Sequence, residues 1–283
     1  MEKFESFLGL PTLLGRSKYQ AFSFLKDRVW KKMQGWKGKM LSKAGKEVLI
    51  KVVAQSIPTY TIGVFLLPAR LCNELNALCA RFWWGQIGDK RKIHWKNWGV
   101  LTQPKKGGMD FRDLKNFNLA MLAKQGWRLI QEKESLLYKC FKARYFPRTN
   151  FLDASYAHNC SYVWKSLMLA QPILKQGCCW RVGDGSAIRV MVDKWLRHQI
   201  TNRILHPPVE EEWEWRVSDL IDWQTNCWDR EIVENKFQRD DTDAILRIPL
   251  SHRQVPDEIF WLHMKSGEYS VKFGYHMARL ISR

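Results

Sequence analysis

Apolar residues recur at three- and four-residue steps through most of the first 146 positions, the signature of amphipathic helices. Between Tyr19 and Met33 they are Phe22, Leu25, Val29 and Met33, which turns Lys26, Lys31 and Lys32 toward solvent. Gly35, Trp36 and Gly38 break that helix. Ser42 can cap a second one, with a predicted stripe of Val48, Leu49, Val52 and Val53 and an end at Pro58. Pro68 opens a third, carrying Leu71, Leu75, Leu78 and Phe82. After a glycine- and charge-rich loop over 85–92, a short extended piece over Ile93–Trp98 and a turn at Gly107-Gly108, Asp113 can cap the longest helix. Its stripe is Leu114, Phe117, Met121, Leu122 and Leu129. A further helix over Ser135–Tyr145 turns Leu136, Leu137, Cys140 and Phe141 inward, and Pro147 closes the run.

The pattern then changes. Residues 148–161 are polar and turn-rich and read as a linker, and Tyr162–Gln176 is again helical. Trp180-Arg-Val, Gly183-Asp-Gly185 and Ile188–Val192 together suggest a hairpin, with Asp184 as a turn residue. Pro207-Pro208 leads into an acidic, aromatic stretch, Glu210–Trp215. Short helices are predicted near Val217–Ile221, Trp228–Phe237 and Asp241–Ile248, with the adjacent pair Asp240-Asp241 as a helix N-cap. A second hairpin over 259–272 would run into a final helix. The expected fold class is mainly α with small β-hairpins, a basic helical body over 19–147 followed by a smaller mixed region over 162–283, with 1–18 as a separate leading segment.

Charge sharpens that division. There are 46 Lys and Arg against 28 Asp and Glu, a net +18. Cations lead by 8 over residues 1–60 and by 11 over 61–150, whereas anions lead by 5 over 208–283. A basic body with an acidic end points to a polyanion as partner of the first part. The candidate phosphate contacts are Arg28, Lys31, Lys37, Lys39, Lys43, Lys46, Lys90, Arg91, Lys92, Lys105 and Lys106. Lys43 and Lys46 sit at a helix entrance, where free N–H groups add to the attraction. Five tryptophans fall between Arg81 and Leu129. Each fits either a helical core or an aromatic face offered to an unpaired base, and Trp95 and Trp98 are the candidates for stacking.

Several chemistries find no support in the residues. The seven cysteines are irregularly spaced with no C-x-x-C pair, so neither a metal site nor a disulfide framework is indicated. No apolar run of about 18 residues occurs, and no positive segment leads an apolar stretch at the start; a soluble, intracellular chain with no membrane partner is expected. The phosphate-binding glycine loop, the G-x-S-x-G elbow and H-E-x-x-H are all absent. No small-molecule substrate is implied.

Arg81-Phe-Trp-Trp-Gly85, Arg91-Lys-Ile-His-Trp95, Pro104-Lys105, Phe111-Arg-Asp113 and Leu122-Ala-Lys-Gln-Gly-Trp-Arg-Leu129 follow one another in an order that resembles the plant LINE-type (non-LTR) retrotransposon polyprotein, downstream of its reverse-transcriptase palm. Leu8-Gly-Leu-Pro11, Ser42–Lys51 and Ile57-Pro-Thr-Tyr60 before this stretch, and Trp180-Arg-Val-Gly-Asp-Gly185 and Tyr269-Ser-Val-Lys272 after it, continue the resemblance over nearly the whole chain. The chain is also similar to open reading frames of plant mitochondrial genomes that descend from such elements. The resemblance implies a fragment that begins after the palm and stops before a zinc-binding segment. Magnesium would then belong to the palm and zinc to that later segment, leaving no cofactor here. No palm-type aspartate hairpin is present, so this chain alone is expected to be non-catalytic, its body gripping RNA or an RNA–DNA hybrid like a thumb and packing against the palm. Two alternatives stand beside this: reverse transcription by the longer polyprotein of which it is a part, and a transposon remnant with no selected activity. Nuclear, cytoplasmic and mitochondrial settings all remain open.

Overall fold

The computed structural model describes residues 6–7, 9–11, 14–36, 41–85, 93–156, 159–196, 201–206, 214–251, 253 and 255–282. In chain order the elements are a two-residue hairpin β1 (Ser6–Phe7) and β2 (Leu10–Pro11), then helices α1 (Lys18–Phe22), α2 (Phe24–Gln34) and α3 (Lys43–Val48). A π-helical segment, Leu49–Ala54, continues α3 and leads to α4 (Thr59–Ile62), α5 (Ala69–Trp84), α6 (Trp98–Leu101), α7 (Leu114–Gln131), α8 (Leu136–Tyr145) and α9 (Tyr162–Gly177). Strand β3 (Cys178–Arg181), the short hairpin β4 (Ile221–Asp222) and β5 (Cys227–Trp228), α10 (Arg230–Lys236), α11 (Arg239–Leu246), β6 (Glu258–Trp261) and α12 (Val271–Ile281) complete the chain. The architecture is mainly α with small strand pairs, as the periodicity predicts.

The chain divides into two compact units, residues 1–174 together with 270–283, and residues 175–269. The expected linker, 148–161, falls inside the first unit: Gln171 donates to the carbonyls of Phe151 and Ala154 at 2.7 and 3.0 Å, and Phe151 is buried.

In the first unit the core is built from the predicted stripes of α2 and α5, with Leu25, Val29, Met33, Leu71, Leu75 and Leu78 all buried. A buried amide ties α7 to the segment between α4 and α5. Asn118 on α7 accepts from the Leu67 N–H at 2.7 Å and donates to the carbonyls of Ile62 and Phe65 at 2.8 and 2.9 Å. Helix ends follow from local chemistry. Ser17, Ser42, Asn97, Asp113 and Ser135 each accept an N–H in the first turn of the helix they precede. Gly85 ends α5 at φ 72°, a left-handed conformation that glycine adopts without steric cost.

Some expected faces are not the observed ones. Val48 and Val52 are 57% and 64% exposed, and Ile50 and Ala54 are buried instead. The π-helical turn explains this: the Gln55 N–H reaches the Ile50 carbonyl five residues back at 2.9 Å, and the wider turn rotates the apolar stripe off its 3.6-residue phase. At the end of α5 Trp83, rather than Phe82, is buried. On α8 Leu136 is 77% exposed and Cys140 is exposed, so that helix presents only part of its predicted face inward. Ile93–Trp98 is not a strand; its last residue starts α6.

Glu74 on α5 gathers Lys26 Nζ at 2.8 Å, the Tyr19 hydroxyl at 2.7 Å and Arg70 Nε at 3.1 Å. The hydrogen bond from Lys26, then that from Tyr19, holds its carboxyl at about 2, against an ordinary 4.5. A depressed folded-state value stabilises the fold above the ordinary one and loses that contribution as pH falls. Glu74→Gln should therefore lower the unfolding midpoint near neutral pH, and the gap to the native chain should close as pH falls from about 4.5 toward about 2. Thermal melts across that range would check it.

In the second unit β3 pairs antiparallel with β6, Cys178 opposite Trp261 and Arg181 opposite Glu258. This corrects the hairpin expected between Trp180 and Val192. Ile188–Val190 instead meets Trp215–Val217, through Val190 N–H to the Trp215 carbonyl and Val217 N–H to the Ile188 carbonyl, both 3.0 Å. The reason is Asp257. Its Oδ1 accepts from Gly183 and Gly185 at 2.7 and 2.9 Å and its Oδ2 from Ala187 at 2.8 Å, folding 183–187 into a loop that cannot return along β3. Asp184 is the turn residue expected, accepting from the N–H and hydroxyl of Ser186. The second expected hairpin is likewise reduced: β6 turns at Gly267, and the chain enters α12 without forming a returning strand. Asp241 does not cap a helix. It is fully buried and receives the N–H groups of Leu205 and His206 at 2.9 and 3.0 Å, while Gln238 holds the N-cap position of α11.

Candidate nucleic-acid interface

The charge asymmetry seen along the chain coincides with the two units. The first carries 33 Lys and Arg against 11 Asp and Glu, a net +22; the second carries 13 against 17, a net −4. Several of the first unit's carboxylates are already engaged, Glu47 with Lys51 at 2.7 Å, Glu74 with Lys26 and Arg70, and Glu132 with Arg128 at 3.0 Å. Among the described residues Arg28, Lys31, Lys105, Lys106 and Arg112 are exposed and take part in none of these ion pairs.

Among the candidate contacts, Lys37, Lys39, Lys90, Arg91 and Lys92 lie outside the described residues. Arg28 and Lys31 are exposed on α2, the Arg28 guanidinium 5.0 Å from the Phe24 ring. Lys105 and Lys106 are exposed in the turn before α7. Lys46 is half-buried on α3. Lys43 is exposed, but its Nζ folds back on α5: it donates to the Trp83 carbonyl at 3.3 Å and lies 4.9 and 5.2 Å from the Trp83 and Trp84 rings. There it neutralises the carbonyl-rich end of α5. The two candidate stacking residues separate. Trp95 is 78% exposed, whereas Trp98 is half-buried and stacked on Phe111, centroids 5.0 Å apart and rings 6° from parallel.

A pocket of about 520 Å³ opens in the same unit, and sequence spacing does not foretell it. Helix α12 forms one wall with Val271, Lys272, Tyr275, His276 and Arg279; the π-helical segment and the loop before α7 form the others with Lys51, Gln55, Asp110 and Arg112. Phe111, Phe117 and Met121 line its apolar part. The walls are locked together. Gln55, buried, donates to the Arg112 carbonyl at 2.8 Å and accepts from the Arg112 N–H at 3.2 Å. The Tyr275 hydroxyl accepts from the Asp113 N–H at 2.9 Å, and Arg279 donates to the Thr102 carbonyl at 3.1 Å. Burial raises the Tyr275 phenol, so it stays protonated. Four Lys or Arg side chains line the pocket against the one carboxylate of Asp110. Phe111 and Arg112 and, far from them in sequence, Val271 and Lys272 meet here.

Among the described residues no three of His, Cys, Asp and Glu are grouped so as to hold a metal ion. The adjacent Asp240-Asp241 does not fit a two-metal centre, because both Asp241 oxygens are occupied by N–H donors. Burial pushes the Cys72 and Cys79 thiols up to about 12, which makes them poor nucleophiles and poor metal ligands. Among the described helices none is long and apolar enough to cross a membrane.

No family model matches the chain. Over 143 residues it is 36% identical to the "Uncharacterized mitochondrial protein AtMg00310" of Arabidopsis thaliana, covering 50% of this chain and 93% of that protein. The chain belongs to that protein's family. Membership agrees with the likeness to plant mitochondrial open reading frames expected above. A second Arabidopsis thaliana protein, "Putative ribonuclease H protein At1g65750", is 28% identical over 277 residues, 95% of this chain. The chain spans 44% of that longer protein's length.

Proposed function

We propose that the chain is a segment of a LINE-type retroelement polyprotein whose first unit binds the phosphate backbone of RNA or of an RNA–DNA hybrid. The observation that carries this reading is the confinement of the positive charge: +22 in one unit and −4 in the other. A general solubility requirement has no reason to segregate charge by unit, whereas a backbone-binding surface does. The relative named a ribonuclease H protein, with which the chain aligns over 95% of its own length, is consistent with a nucleic-acid setting. Under this reading the segment positions nucleic acid, and catalytic carboxylates and their metals belong to other parts of a longer polyprotein.

Exposed cations are the contacts this reading uses, with Lys105 and Lys106 the clearest. Each phosphate neutralised on a duplex contributes about 0.9 to the slope of log K against log salt. Lys105→Glu with Lys106→Glu should weaken binding of an RNA–DNA hybrid for every sequence alike and reduce the magnitude of that slope by about 2. An unchanged slope would remove these two residues from the interface.

A further inference from the structure

We propose that the pocket walled by α12 takes one unpaired nucleotide of a single strand, its base against the Tyr275 ring and its phosphate between Arg112 and Lys272. The inference rests on the reading of the first unit as a nucleic-acid binder and adds to it a subsite that recognises a base rather than a backbone. A volume of about 520 Å³ lies in the range of small-ligand pockets and exceeds what a bare phosphate would fill. Its lining combines Phe111, Phe117, Met121, Val271 and Tyr275 with the exposed cations Arg112 and Lys272. That distribution matches a ligand with a flat, weakly polar body and an anionic end.

The side chains divide the work. Lys51 is already paired with Glu47 at 2.7 Å, and Arg279 is committed to the Thr102 carbonyl. Arg112 and Lys272 are exposed and make no salt bridge among the described residues, which leaves their charge for an incoming phosphate. The Arg112 guanidinium lies 4.7 Å from the Phe117 ring, a contact that orients it. Phe111 cannot serve as the platform, since Trp98 already stacks on it. Tyr275 can: its ring is half-buried, oriented by the hydroxyl's bond to Asp113 and steeply inclined to Phe117, centroids 6.5 Å apart, and because the Arg279 guanidinium lies 5.8 Å from its centroid the base would take the other face. Base–aromatic stacking of this kind tolerates all four bases, so the pocket should distinguish a base from its absence more sharply than one base from another.

The test compares two single-stranded RNA oligonucleotides of equal length, one normal and one abasic throughout, on the full chain, with a duplex of the same length and with AMP alone as further probes. The normal strand should bind about 5- to 100-fold more tightly than the abasic one. Tyr275→Ala should abolish that ratio and Tyr275→Phe should keep it. Lys272→Glu with Arg112→Glu, both exposed and so tolerable to the fold, should remove saturable AMP binding. Equal binding of normal and abasic strands by the native chain, or AMP binding untouched by the double charge reversal, overturns the proposal. The duplex separates the two ideas: duplex binding that persists beside equal single strands refutes only the pocket, whereas AMP binding that persists while the duplex fails to bind refutes only the backbone reading.

Discussion

Trp164→Ala should destabilise the first unit by about 3–5 kcal/mol, the cost of emptying a large aromatic site that cannot collapse. Trp164 is fully buried and enclosed by aromatic rings: Tyr145 lies parallel to it at 4.6 Å and 7°, Phe146 at 5.7 Å, Phe141 at 5.7 Å and Phe151 edge-on at 5.9 Å. These rings come from α8, the segment after it and α9, so the cluster fastens the 146–156 stretch onto the helices. Its indole N–H finds no partner among the described residues, so truncation forfeits packing and not a hydrogen bond. Trp164→Phe should accordingly recover most of the loss. Urea unfolding followed by circular dichroism would show the midpoint shift, and similar losses for Phe and Ala would contradict a packing role.

Asp257→Ala should cost the second unit about 2–4 kcal/mol, because three backbone N–H groups lose a charged acceptor together. Gly183, Gly185 and Ala187 all point at this carboxylate. The loop has little room to adapt: Gly185 holds φ +70°, and a Cβ there would lie 2.5 Å from the Ser218 nitrogen. Asp257→Asn keeps Oδ1 for Gly183 and Gly185 but sets an amide N–H₂ against the Ala187 N–H, so its effect should be intermediate. Hydrogen exchange at Gly183 and Ala187 would resolve the two oxygens: in the Asn variant Ala187 should exchange faster while Gly183 stays protected.

Much of this fold is readable from spacing alone. The stripes of α2, α5 and α7 and the caps at Ser42 and Asp113 depend on neighbours within four residues, which is the range over which periodicity and capping act. What spacing missed has a longer reach or a different pitch. A single π-helical turn moved Val48 and Val52 to the surface. The strand at Cys178–Arg181 pairs with Glu258–Trp261, while the Asp257 carboxylate holds 183–187, the start of the nearer candidate, in a loop. At the candidate site the gap is wider. Lys105 and Lys106 are plain in the composition, and Lys43 too, although its role in closing α5 is visible only once Trp83 and Trp84 are placed beside it. Arg112 and Lys272 carry no local pattern that joins them; only the packing of α12 on α7 brings their segments to one pocket.

The central claim is that the first unit's charge engages a nucleic-acid backbone, and salt dependence measures this most directly. Affinity of the full chain for an RNA–DNA hybrid, followed across a salt series, should fall with a log–log slope of magnitude about 4 or more, corresponding to several neutralised phosphates, and the hybrid should be preferred to duplex DNA. Weak binding that does not discriminate between forms of nucleic acid, with a slope near 1, would contradict the account and favour a remnant whose charge serves no selected partner.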